Sequence, residues 1–195
     1  MKKKIIIIIV SILVLAGLIT GGILLFGGKE EVKNFKDEYT LVSDDHVFEY
    51  KTSEEIIKIL KNGTGIVYLG FKECPWCQHY AKILDELTQE VGIDVIYYYD
   101  IRQDREENNE TYQEIVSLLK DHLDFDQEGN PRIFVPDVTF VKKGEIIYHT
   151  NETSMITEDI KPEEYWTEEK TNQAKDTLKK YIKEINDKMC TDCNE

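Results

Sequence analysis

The stretch Gly65-Ile66-Val67-Tyr68-Leu69-Gly70-Phe71-Lys72-Glu73-Cys74-Pro75-Trp76-Cys77 decides how this chain is read. Its first seven residues form a continuous apolar run of strand length, the pattern of a strand buried on both faces. Pro75 suits the first turn of a helix, where its missing N–H would have had no partner. Beyond it Cys77, Tyr80, Ala81, Leu84, Leu87 and Val91 recur at helical spacing. The junction puts the Cys74 sulfur at a helix N-terminus, where unpaired amides and the positive end of the dipole stabilise a thiolate. Cys77 lies one turn in, less exposed and close enough to form a disulfide. Cys74 is therefore the candidate nucleophile and Cys77 the candidate resolving thiol.

The plainer alternatives are a passive disulfide or half of a zinc site. A zinc site wants four ligands, and the other two cysteines, Cys190 and Cys193, lie more than a hundred residues away. A disulfide across so short a loop contributes only about 2 kcal/mol by chain entropy. Redox chemistry accounts better for the pair, with no metal and no cofactor expected.

Working outward, His46–Tyr50 is a short strand candidate. Thr52 followed by Glu55 forms a capping box ahead of a helix carrying Ile56, Ile57, Ile59 and Leu60, which Gly63 stops. Ile93–Tyr99 is a second buried strand, so the first half reads β-α-β-α-β with crossovers that imply adjacent parallel strands. A helix inside the charged stretch Asp100–Arg132 is marked by Tyr112, Ile115, Val116, Leu119 and Leu123. Val138–Lys142, the turn Lys143-Gly144 and Glu145–His149 make a β-hairpin. Thr167 caps a last helix with Ala174, Leu178, Tyr181, Ile182, Ile185 and Met189 on one face. The expected class is α/β, a mostly parallel sheet ending in an antiparallel hairpin and flanked by helices.

The N-terminus is of another kind. Ile5–Phe26 is 22 residues without a charge, preceded by Lys2, Lys3 and Lys4. As a helix it would be about 33 Å long, enough to cross a hydrocarbon core of about 30 Å. A cleaved signal usually has a shorter apolar core, ~7–15 residues, and an A-x-A-like exit. An uncleaved single-pass anchor over 1–28 is expected, with its lysines held in the cytoplasm and the rest of the chain outside the cell membrane. Residues 29–45 then read as a polar tether, 46–189 as the domain with a helical insertion over 101–132, and 190–195 as a tail. The chain carries 38 acidic against 24 basic residues, a formal charge of −14, and three of those basic residues precede the anchor. So acidic a domain repels phosphate backbones and anionic headgroups, which sets nucleic acid aside as a partner.

Over roughly residues 46–185 the sequence resembles the thioredoxin superfamily. The resemblance rests on GIVYLGFKECPWC (65–77), IDVIYYYDI (93–101) and FVPDVTFVKKGEIIYH (134–149), in that order. More narrowly, it looks like membrane-anchored, extracytoplasmic thioredoxin-like proteins of Gram-positive bacteria, some of them labelled bacteriocin-transport accessory proteins. The resemblance implies that Pro136 is a cis-proline facing the C-x-x-C. It also implies that Val135 offers its backbone to a substrate strand and that Trp76 contacts substrate. Pro131 is the rival for that role. The departures are specific. Thioredoxins carry a buried Asp six residues before the first Cys, which moves the resolving thiol's proton; here that position is Tyr68. A buried Glu elsewhere or a water is then expected to do that work, or resolution is slower. Glu73 is expected to raise the Cys74 pKa and Lys72 to lower it. His79 reads as a surface residue, and the long 100–132 stretch as a solvated insertion or a partner surface.

Cys190 and Cys193 admit three readings: a local disulfide, a shuttle pair passing electrons to Cys74 and Cys77, or metal binding. The expected function is a membrane-tethered thiol–disulfide oxidoreductase acting on protein thiols and disulfides of secreted or envelope proteins. A reductase would need a membrane redox partner to deliver electrons. The alternative is a non-catalytic accessory protein for peptide export, for which Cys74→Ser would be silent.

Overall fold

The computed structural model describes residues 34–152 and 159–186. The expected anchor, the start of the tether, Met189, Cys190 and Cys193 lie outside them. No helix among the described residues is long and apolar enough to cross a membrane.

Five strands form one mixed sheet in the order β1-β3-β2-β4-β5: β1 Phe48–Tyr50, β2 Gly65–Gly70, β3 Ile96–Asp100, β4 Asp137–Lys142 and β5 Glu145–Thr150. β1 and β2 both pair parallel with β3, and β4 pairs antiparallel with both β2 and β5. Four of the five strands thus run one way and β4 runs against them. The crossovers do not place β1 beside β2 as expected, because β3 lies between them. The physical reason is burial. Ile66 to Gly70 are all buried, so β2 takes the centre, while the three-residue β1 is left at an edge.

Helices cover both faces. α1 is Phe35–Glu38, α2 Ser53–Asn62, α3 Pro75–Val91, α4 Arg102–Glu107, α5 Glu110–Leu119, α6 Pro162–Tyr165 and α7 Glu168–Asn186. On one face Ile66, Tyr68, Val138 and Phe140 pack with Cys77, Tyr80 and Leu84 of α3 and Leu178, Ile182 and Ile185 of α7. On the other, Val67, Leu69 and Val141 pack with Ile56 and Leu60 of α2 and Tyr112, Ile115 and Leu119 of α5. This two-sided burial is what the unbroken apolar run of β2 requires.

Local signals act where they were read. Thr52 and Glu55 form the capping box, each side chain receiving the other's backbone N–H. Thr167 Oγ1 accepts the Lys170 N–H at the head of α7. The Lys143-Gly144 turn has φ of 51° and 79°, the pairing that suits a tight hairpin. Gly144 also lies against Lys61, whose carbonyl oxygen would sit 2.1 Å from an added Cβ.

Two boundaries are corrected. The tether does not extend to Asp45: the compact unit begins at Asn34, and Phe35, Tyr39 and Val42 are buried in the first core. Phe35 stacks between Tyr39 and Phe48, each at 4.2 Å between ring centroids. Among acidic neighbours these three residues recur at helix-like spacing, a stripe that composition alone conceals. The 101–132 stretch is likewise no solvated addition, since Ile101, Tyr112, Ile115, Val116, Leu119 and Leu123 supply much of the second core.

Candidate functional site

The strand-to-helix junction places Cys74 as the N-cap of α3, in extended backbone with φ −84° and ψ 110°. Its Sγ accepts the backbone N–H of Cys77 at 3.1 Å. This is the geometry of a capping side chain with sulfur in place of oxygen. Both cysteines are free thiols here. Cys74 is 8% exposed and Cys77 0%, so the nucleophile is the one of the pair a substrate sulfur can reach. Gly70 makes room behind them: a Cβ there would stand 3.1 Å from the Tyr39 hydroxyl and 3.4 Å from Cys77 Sγ.

The two thiols are driven apart in acidity. Hydrogen bonding with the Cys77 side chain holds the Cys74 pKa below that of an ordinary thiol. Burial opposes this, and the Cys77 and Trp76 backbone amides and the charge of Arg105 assist it. Burial first, and then the hydrogen bond and charge of Cys74, push the Cys77 thiol well up. Of the two thiols, Cys74 is the one that ionises first and Cys77 the one that holds its proton longer.

Tyr68, standing where the thioredoxin pattern has a carboxylate, is fully buried, and its hydroxyl donates to the Cys77 carbonyl at 2.8 Å. No carboxylate is among the principal influences on Cys77. The buried acids among the described residues, Asp85 and Asp137, are engaged elsewhere. Asp85 accepts the Ser43 N–H at 2.6 Å. The expected buried Glu is therefore not at this site.

Neither charge neighbour expected from sequence acts freely. Lys72 pairs with Glu38 at 3.2 Å and Glu73 with Arg102 at 3.1 Å. The cation bearing on Cys74 is instead Arg105, a half-buried residue of α4. Its guanidinium lies 5.1 Å from the Phe71 ring centroid and donates to the Ile133 carbonyl at 3.4 Å. The Ile133 N–H donates in turn to the Tyr112 hydroxyl at 3.3 Å. The two helices of the 101–132 stretch thus hold the segment leading to Pro136 by both backbone groups of one residue.

The Val135–Pro136 bond is cis, and it alone is cis among the described residues, so Pro131 is not. Asp137 pairs with Leu69 in the sheet, which sets Pro136 beside the end of β2 from which the C-x-x-C loop departs. Val135 is half-buried and packs against both cores. The Trp76 ring packs against Tyr165 of α6 in a T-shaped contact with 5.4 Å between ring centroids. His79 is half-buried and faces Glu163 at 3.5 Å, which modifies the surface reading. Gln78 ties the α1 segment to the loop, its side-chain amide donating to the Glu38 and Lys72 carbonyls at 2.8 Å each.

Two features escaped sequence reasoning. Arg105 carries no local signal, being one of many charges in its stretch. Asp137, directly after Pro136, is completely buried and pairs with His149 at 2.7 Å. A carboxylate in so apolar a strand required a partner, but a register shift between Phe140 and Val141 moves His149 opposite Thr139 and hides the match. Among the described residues no group of three His, Cys, Asp or Glu could hold a metal ion. In comparisons with known proteins, this chain matches no family model and no curated protein.

Proposed function

We propose that this protein is a membrane-tethered, extracytoplasmic thiol–disulfide oxidoreductase with a thioredoxin-like fold, acting on secreted or envelope proteins through Cys74 and Cys77. The observation that carries the reading is the Cys77 N–H donating to Cys74 Sγ at 3.1 Å at the head of α3, beside a second thiol that is fully buried. A nucleophilic thiolate and a protonated resolving thiol one helical turn apart is the arrangement that two-step exchange needs.

In the reducing direction the Cys74 thiolate attacks one sulfur of a substrate disulfide. A Cys74–substrate disulfide forms and the second substrate sulfur leaves with the electron pair. Cys77 then attacks Cys74 Sγ, its proton passes to the departing substrate thiolate, and the Cys74–Cys77 disulfide remains. Oxidation of a substrate dithiol is the same sequence reversed. The relative stability of the two forms sets the direction, about 30 mV for each 1.4 kcal/mol.

The trapping experiment tests this. Cys77→Ala in the full-length chain should accumulate mixed disulfides through Cys74, resolved on non-reducing gels and absent from Cys74→Ser/Cys77→Ala. If both variants give the same pattern, the reading fails.

A further inference from the structure

Arg105, whose charge bears on Cys74, also lines a cavity of about 590 Å³ together with Arg132, Asn108, Gln113 and Asn130. Two guanidiniums meeting in one cavity is unexpected in a chain with 38 acidic residues, because carboxylates were abundantly available to pair them. Yet among the described residues neither Arg105 nor Arg132 is in an ion pair with a carboxylate. Arg105 is held instead by the Ile133 carbonyl and the Phe71 ring, and Arg132 lies 5.8 Å from the Phe134 ring centroid. Two acids also line the cavity. Asp126 Oδ1 accepts the Glu128 and Asn130 amides at 3.0 and 2.8 Å, the charge of Arg132 bears on this carboxylate, and Glu128 is exposed. Arg132 is exposed, but Arg105 is half-buried, and a partly desolvated cation normally has an anion; Arg105 lines the cavity without one.

The cavity is linked to the reaction site through Arg105, which packs on the Phe71 ring three residues before Cys74 and bonds the Ile133 carbonyl two residues before Val135. A substrate strand laid along Val135 to reach Cys74 would, in extended geometry, pass Ile133 and arrive over Arg132. We propose that this cavity is a subsite for a carboxylate carried by the polypeptide substrate a few residues from its reacting cysteine. The protein thereby selects acidic flanks although its own net charge of −14 repels them. This rests on the oxidoreductase reading.

The test uses the full-length chain with Cys77→Ala, Cys190→Ser and Cys193→Ser, so that Cys74 alone reacts. Its substrates are end-blocked peptides whose single cysteine is a pyridyl disulfide, with Glu, Gln or Lys at successive flanking positions. Cys74 attacks the peptide sulfur, and the released pyridine-2-thiolate is followed by absorbance. At one flanking position Glu peptides should react about tenfold faster than Lys peptides, a preference that added salt reduces. Adding Arg132→Glu should reverse the order, while the Gln peptide monitors Cys74 itself. Glutathione pyridyl disulfide, a small thiol with free carboxylates, should show no such dependence on Arg132; if it alone responds, the cavity serves small thiols and the polypeptide proposal is overturned. Equal rates for all peptides, or an order unchanged by Arg132→Glu, overturn the subsite alone. No reaction with any of them removes the oxidoreductase reading and the subsite with it.

Discussion

The Tyr68 hydroxyl donates to the carbonyl of Cys77 at 2.8 Å, inside a core where neither residue is exposed. A tyrosine thus fills the place where the thioredoxin pattern holds a carboxylate; it anchors the resolving cysteine's backbone, and its hydrogen bonding works against the burial that raises the Cys77 thiol. Tyr68→Phe removes the donor and leaves a buried carbonyl one partner short. Urea unfolding should show a loss of about 1 kcal/mol at unchanged slope. Titration of Cys74, which this hydroxyl does not touch, should stay where it was.

The opposed acidities of the two thiols make a prediction in pH. With Cys74 held below the ordinary thiol range and Cys77 above it, the reduced form carries one proton over a window that brackets the ordinary thiol value of about 8.5. The reduction potential should fall by about 59 mV per pH unit below the Cys74 pKa and by about 30 mV above it. In stability terms, a depressed thiol pKa contributes above the unfolded value and ceases to contribute as pH falls through the folded one. The reduced protein should therefore gain on the oxidised protein as pH rises toward about 8.5. Above that, the raised Cys77 pKa works in the opposite direction. Denaturant unfolding of both forms from pH 6 to 9 checks the sign.

Asp137 and His149 lie next to Pro136 and apart from the thiols. Burial works against a charged His149, but its hydrogen bond to Asp137 and the charges of Asp137 and Asp124 outweigh this, and its pKa is raised. Such a group contributes fully below the unfolded histidine value of about 6.5 and is lost as pH rises through the folded value. The oxidised protein, in which neither active-site thiol titrates, should lose stability over that interval. His149→Gln should flatten the dependence. His149→Ala, which strands the Asp137 carboxylate, should cost about 3–5 kcal/mol in unfolding experiments.

The segment before β1 is the other place where sequence and structure part. Phe35→Ala, at 1% exposure between two stacked rings, should destabilise the protein by about 3–5 kcal/mol. A true tether would tolerate the change, and thermal unfolding of the full-length variant separates the two.

These cases show what the residue string carries and what it does not. The junction at Cys74, the capping box at Thr52 and the hairpin at Lys143-Gly144 each depend on neighbours a few positions apart. Their local chemistry can be read directly, whereas the cis bond before Pro136 is implied by the resemblance alone. Strand order is a competition for the centre of the sheet, decided by burial on both faces and not by connectivity. Arg105 acts on Cys74 across about thirty residues, and His149 reaches Asp137 only after a bulge shifts the register. Phe35, Tyr39 and Val42 were masked by the charges between them, which composition weighs equally with the buried ring faces.

The most direct test of the central claim is the redox equilibrium of Cys74 and Cys77 in the full-length chain with Cys190→Ser and Cys193→Ser, titrated against glutathione and dithiothreitol buffers. The account predicts one two-electron transition between about −270 and about −120 mV, lost in Cys74→Ser. A pair that stays reduced across the whole range, or a transition that survives Cys74→Ser, would contradict it.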